Sequence, residues 1–205
     1  MSLLSPAPAL SPGPTLSPAP TLSPGRTLSP APTLSPAPAP ARGIDRPTFR
    51  QVFGNHPGGV VVVTADAGYG PAGLTLTSLT SVAAEPPLLS FGISRAGSTW
   101  PTFAAARSVL VHFLDAEQAG LAHRFATSGI NRFAAPTRWS RTAEGHPRLD
   151  DAPSYLQAEI EQRVTAGDHD ILVARIVEAV VTRPHTPLVH HAGAYRITAD
   201  LTVSQ

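Results

Sequence analysis

The 205-residue chain contains no cysteine and no lysine. The first absence excludes disulfides, thiolate nucleophiles and Cys-ligated zinc, and it agrees with a reducing compartment such as the cytoplasm. The second makes every basic side chain an arginine, and the 15 arginines are scattered among 14 acidic residues for a net charge of +1. No positive stripe results, so neither nucleic acid nor an anionic membrane surface is an expected partner. Long apolar runs are missing too, and nothing approaches the roughly 20 residues of a membrane span. G-x-S-x-G is absent, which removes the nucleophile elbow of the α/β-hydrolases.

Proline, by contrast, is abundant at one end. About half of the 23 prolines fall before Arg42, in a repeating hexad that reads SPAPAL, SPGPTL, SPAPTL, SPGRTL, SPAPTL. Proline at every second or third position removes amide donors and fixes φ, so residues 1–42 are expected to be an extended or disordered tether with no core. A hexad is two turns of polyproline II and sets Leu10, Leu16, Leu22, Leu28 and Leu34 along one edge. The tail lacks the basic start and unbroken apolar stretch of a secretory signal. Residues 43–205 have the composition of one globular domain, long enough for a single core.

Within that domain, Gly68, Gly70 and Gly73 complete a G-x-G-x-x-G directly after the strand-like run VVVVT. A dinucleotide-binding loop needs a helix after it, because the pyrophosphate rests on that helix's N-terminus. The next residues are instead LTLTSLTSV, β-branched and alternating, so the glycines are read as a hairpin turn between strands. A short helix is expected over Arg46–Phe53, then strands at GGVVVVTA, GLTLTSLTS, PLLSFGIS and SVLVHFLDA. Helical segments are expected at STWPTFAAAR with Ser98 as cap, at EQAGLAHRFAT, and at INRFA. The segment from Tyr155 to Arg183 alternates, turns at AGDHD and returns, which predicts a long hairpin. Strands with short helices and no βαβ rhythm point to a mainly β fold, an antiparallel barrel with small helical insertions.

Three polar constellations stand out. Thr75, Thr77, Ser78, Thr80 and Ser81 form a hydroxyl-rich stretch, which is either the polar face of a half-buried strand or a set of ligand donors. In ISRAGSTW, Ser98 and Thr99 open a helix where amides and hydroxyls suit an anion, and Arg95 adds charge. Gly167-Asp168-His169 sits at the hairpin tip, where Asp serves ordinary turn chemistry. His185, His190 and His191 are close in sequence, but neighbours on a strand point to opposite faces, so no shared metal is expected.

The ordered series HPGGVVVVTA, GLTLTSLTSVAAEPPLLSFGIS, SVLVHFL, LAHRFA with NRF, AGDHDILVARI and PLVHHAGAY resembles the flavin reductase-like, FMN-binding split-barrel family over roughly residues 45–197. Within it the chain is most similar to the NAD(P)H:flavin oxidoreductases that feed reduced flavin to a partner monooxygenase. The resemblance implies a cytoplasmic homodimeric split barrel using FMN or FAD with NADH or NADPH. It implies flavin contacts from Thr75, Thr77, Ser78 and Thr80, and from Ser98, Thr99 and Trp100. Arg132 of NRF is implied at the flavin phosphate or an adenylate, and Asp168 and His169 at the nicotinamide nucleotide. Because hydride passes directly from nicotinamide to flavin, no general base is required, with His169 the one residue considered for a catalytic part. The sequence departs from the family at His112, where members often carry Asn. A flavin-carrying module without turnover, and a domain whose working part is the tail, are the alternatives.

Overall fold

The computed structural model describes residues 43–199, so the proline-rich tail lies outside the described residues. Helix α1 (Arg46–Gly54) starts at Asp45, whose carboxylate accepts the Thr48 N–H at 2.9 Å, with Pro47 in the first turn where no amide is needed. Two strands come next, β1 (Gly58–Gly59) and β2 (Val61–Asp66), then β3 (Pro71–Leu76), β4 (Thr80–Ala84) and β5 (Pro87–Ser94). Helix α2 (Trp100–Ala105) leads to β6 (Ser108–Phe113), and a 3₁₀ turn at Ala116–Gln118 runs into α3 (Ala119–Ala126). A small hairpin, β7 (Trp139–Arg141) with β8 (Pro147–Leu149), precedes the long hairpin β9 (Ser154–Ala166) and β10 (His169–Val181), and β11 (Leu188–His191) and β12 (Ala194–Ile197) end the fold.

Seven strands form one antiparallel sheet in the order β3-β2-β6-β9-β10-β5-β4. It curls around a single interior filled by Val61, Val63, Leu89, Phe91, Val109, Val111 and Leu172, to which α2 adds Phe103. The edge strands β3 and β4 are consecutive in sequence yet are not ladder partners, which is where the barrel is split. On the far side of β2, Val60 and Val62 pack with Leu114, Phe125, Phe133 and Leu149 in a second core under α3 and β8. The valine run is therefore buried on both faces, which explains its continuous apolar character.

Two expectations fail locally. GLTLTSLTS is not one strand: it breaks at Thr77–Leu79 and crosses from one edge of the sheet to the other. INRFA is not a helix. Gly129 takes a left-handed φ of 78° just before it, the Asn131 carboxamide accepts the Phe133 N–H at 3.1 Å, and Pro136 comes soon after, so the segment closes as a turn.

Candidate functional site

The glycine motif is a β2–β3 turn. Gly68 and Gly70 hold φ of 90° and 96°, and Asp66 accepts the Gly68 N–H at 2.8 Å, a conformation that residues with a Cβ resist. Gly73 serves packing instead, because a Cβ there would lie 2.6 Å from the Phe125 ring of α3. The turn forms one wall of an open cavity of about 250 Å³, to which Ser98, Thr99, Asn131 and Arg132 also contribute. Arg132 is half-buried, donating through Nε to Thr127 O at 3.0 Å and through Nη1 to Gly73 O at 3.1 Å. Burial lowers its pKa, yet a guanidinium stays charged and has donors beyond these two.

Ser98 is not the helix cap. Thr99 occupies that position, buried, and its hydroxyl makes no capping bond. At six residues α2 is too short for its dipole to matter, so the donors this cavity offers are the hydroxyls and Arg132 rather than the helix. Trp100 Nε1 is buried and lacks a hydrogen-bond partner among the described residues. A donor in that condition costs about 1–3 kcal/mol unless an acceptor reaches it.

A second group gathers on β5. Leu89, Phe91 and Ile93 point into the barrel, so by alternation Ser90, Gly92 and Ser94 face outward. The β4 ladder stops at Ser90, and the Ser78 hydroxyl takes over the edge by accepting the Gly92 N–H at 3.0 Å. On the opposite flank β10 pairs Ile171 with Gly92 and His169 with Ser94. Ser78 and His169 thus border one outward strip whose centre is a glycine, and Ile171 beside it is 40% exposed. Thr80 pairs with Ser90 one step further along the same edge.

Thr75 and Thr77 do not join this strip. The Thr75 hydroxyl donates to Ala122 O at 2.6 Å, which fastens α3 to β3 on the other face of the strand. Thr77 packs on β1, where a Cβ on Gly58 would come within 2.9 Å of its own. In this structure the two side chains have these structural partners, away from the strip that Ser78 borders.

The hairpin tip carries Gly167, in the left-handed region at φ 62°, then Asp168 and His169. His169 Nδ1 lies 2.7 Å from Asp168 Oδ1, and this hydrogen bond is the main reason the Asp168 carboxyl sits below its ordinary pKa. Arg95 does not reach the cavity as charge for an anion. Its Nη2 donates to Gly167 O at 2.7 Å and its backbone N–H to Asp168 O at 3.0 Å, so it is committed to the hairpin.

Residues 53–199 match the profile of the flavin reductase like domain. The chain belongs to this family. An NADH:FMN oxidoreductase of Rhodococcus qingshengii is 38% identical over 162 residues, covering 75% of this chain and 82% of the relative. The reductase component of a 4-nitrophenol 4-monooxygenase/4-nitrocatechol 2-monooxygenase from Rhodococcus opacus is 33% identical over 152 residues, covering 74% and 80%. The Streptomyces globisporus C-1027 NADH:FAD oxidoreductase SgcE6, solved with NAD and FAD fragments, superposes with a TM-score of 0.72 at 29% identity, covering 78% of this chain and 96% of that one. The outward, half-buried strip centred on Gly92 is a candidate site element that no named motif marks. Its signal in the sequence was a glycine inside the strand run PLLSFGIS. Among the described residues, no helix is long and apolar enough to cross a membrane.

Proposed function

We propose that this chain is an NAD(P)H:flavin oxidoreductase that reduces FMN or FAD and releases the reduced flavin to a partner monooxygenase. The observation that carries this reading is the strip on β5, where Ser78 on one flank and His169 on the other border a Gly92 surface open to a planar ring. The residues present fit a flavin. Ser98, Thr99 and Arg132 offer hydroxyl and guanidinium donors at one cavity, as a ribityl phosphate or an adenylate requires, and the buried Trp100 Nε1 needs an acceptor. When bound, the flavin supplies the ring nitrogen that takes hydride from the nicotinamide carbon.

The chain's own part is to place and exclude. Arg132 is held on two carbonyls and presents its remaining donors without rearrangement. The Asp168 carboxylate fixes the His169 proton on Nδ1, which leaves Nε2 free toward the nucleotide. Neither residue moves a proton in the hydride step, and rate comes from ring alignment.

The unit that performs this is residues 43–205, with residues 1–42 as a tether, and it works as a homodimer in the cytoplasm, where NAD(P)H is regenerated. Support for the dimer comes from α1, which buries none of its residues and exposes Phe49, Val52 and Phe53 at 48%, 60% and 58%. Apolar surface of this kind on a helix calls for a covering partner. Sedimentation of the purified chain tests it, and a monomer at micromolar concentration would refute it. Steady-state oxidation of NADH and NADPH with added FMN, FAD and riboflavin tests the activity. Turnover that depends on flavin is the expected outcome; a yellow protein that consumes no nucleotide would make it a flavin-carrying module instead.

A further inference from the structure

We infer that Arg95 is a positioning residue for the nucleotide end of the site, because it clamps the hairpin tip that carries His169. The inference rests on the assignment of His169 to the nicotinamide nucleotide. From Glu161 to His169 every residue is exposed, so the end of the hairpin stands away from the core and has little packing to fix it. Its ladder to β5 ends at the His169–Ser94 pair. Beyond that point Arg95 alone supplies two hydrogen bonds across the gap, one from its backbone to Asp168 O and one from its guanidinium to Gly167 O.

Both carbonyls of the Gly167-Asp168 turn therefore accept from one residue. The guanidinium is also steered from below. Asp170 is buried, accepts the Thr165 hydroxyl at 3.0 Å, and stands 3.9 Å from Arg95 Nε. Since the turn sets Asp168 and Asp168 holds the His169 ring, loss of the Arg95 side chain removes the support on which the imidazole's orientation depends. Arg95 also stands three residues before Ser98, so the segment that contributes hydroxyls to the cavity is the one that grips the tip. Its side chain belongs to the second task.

The test uses the full-length chain with Arg95→Ala, Arg95→Lys, His169→Ala and the double variant Arg95→Ala/His169→Ala. Arg95→Ala is expected to raise KM for NADH about tenfold while kcat and flavin Kd stay within about twofold. Amide exchange at Gly167–His169, read without ligand, should quicken by at least about tenfold, because the turn opens locally. Arg95→Lys, which keeps one donor, should recover most of the KM. The double variant should be no worse than His169→Ala, since both act through one ring. A weakened flavin Kd would make Arg95 an anion ligand and overturn the proposal, as would additive KM effects or unchanged exchange. If His169→Ala itself leaves KM untouched, the nicotinamide assignment fails, whereas the clamp is still judged by the exchange rates alone.

Discussion

Along β2, every residue from Val61 to Ala65 is buried, whereas along β10 burial alternates, with Asp170, Leu172 and Ala174 inside and His169, Ile171 and Arg175 exposed. These strands belong to one sheet. The β3-β2-β6 half carries a second core on its back, built from α3 and the β7–β8 hairpin, while the β10-β5-β4 half leaves its outer face bare among the described residues. A sheet half covered twice is a wall; a half covered once is a surface with something left to bind. Two histidines mark the contrast. His112, in the wall, donates from Nδ1 to Val62 O at 3.1 Å and accepts the Leu149 N–H on Nε2 at 3.1 Å. His169, on the bare half, is exposed and held by an exposed carboxylate.

Phe125 is the hardest test of the wall. Its ring is fully buried, stacks edge-on against Phe133 at 5.3 Å and fills the space that Gly73 leaves open. Phe125→Ala should cost about 3–5 kcal/mol in chemical denaturation. A loss below about 1 kcal/mol would mean the second core is not holding the wall.

His112 comes next. Burial pushes its pKa down from 6.5 to about 4, so below pH 6.5 the unfolded chain takes up a proton that the folded chain refuses. Stability therefore falls as pH drops from about 6.5 to about 4, by on the order of 3 kcal/mol in total, and is fully present above that window. In His112→Asn the same titration of stability should lose this slope. If both proteins fall in parallel, the imidazole is not the source.

On the bare half the expected effects move from stability to binding. Ser78→Ala removes the hydroxyl that meets Gly92, and flavin Kd should rise more than tenfold, about 1.4 kcal/mol, with the melting temperature changed little. An unchanged Kd would reduce Ser78 to closing the barrel's edge. The smallest effect is expected from deleting residues 1–42: melting temperature and flavin Kd should match those of the full chain, since a sequence with proline at every second or third position is expected to bury little. A clear drop would refute the reading of the tail as a tether.

The sequence made some of this plain and hid the rest for physical reasons. The β2–β3 turn was legible because Gly68 and Gly70 are the residues such a turn demands, and the long β9–β10 hairpin because Leu156, Ala158, Ile160 and Val164 alternate with polar residues before the turn at Gly167. The break at Thr77–Leu79 was not legible. Alternation states which way a side chain points but not which neighbour pairs with it, and here the pairing changes from β2 to β5. Thr75 and Ser78 looked equivalent in one hydroxyl run, and only the tertiary partners, Ala122 O and the Gly92 N–H, separate them. The short strands β7, β8, β11 and β12 have three or four residues each, too few to show a period. Arg95 read as charge near an anion because a sequence does not disclose that its guanidinium is taken by a carbonyl 72 residues away.

Arg132 bears on how fast a ligand is captured and let go. A free arginine on a protein surface samples many rotamers, and stopping it costs up to about 2 kcal/mol of entropy at the moment of contact. Here that cost is met during folding, since Thr127 O and Gly73 O already hold the guanidinium. An arriving phosphate has only to shed its own water, so association should run near the limit set by diffusion and long-range charge. The cavity around it is open among the described residues. Under the proposed function, an anchor set before the ligand arrives lets binding be gained by orientation already in place rather than by side chains freezing on contact.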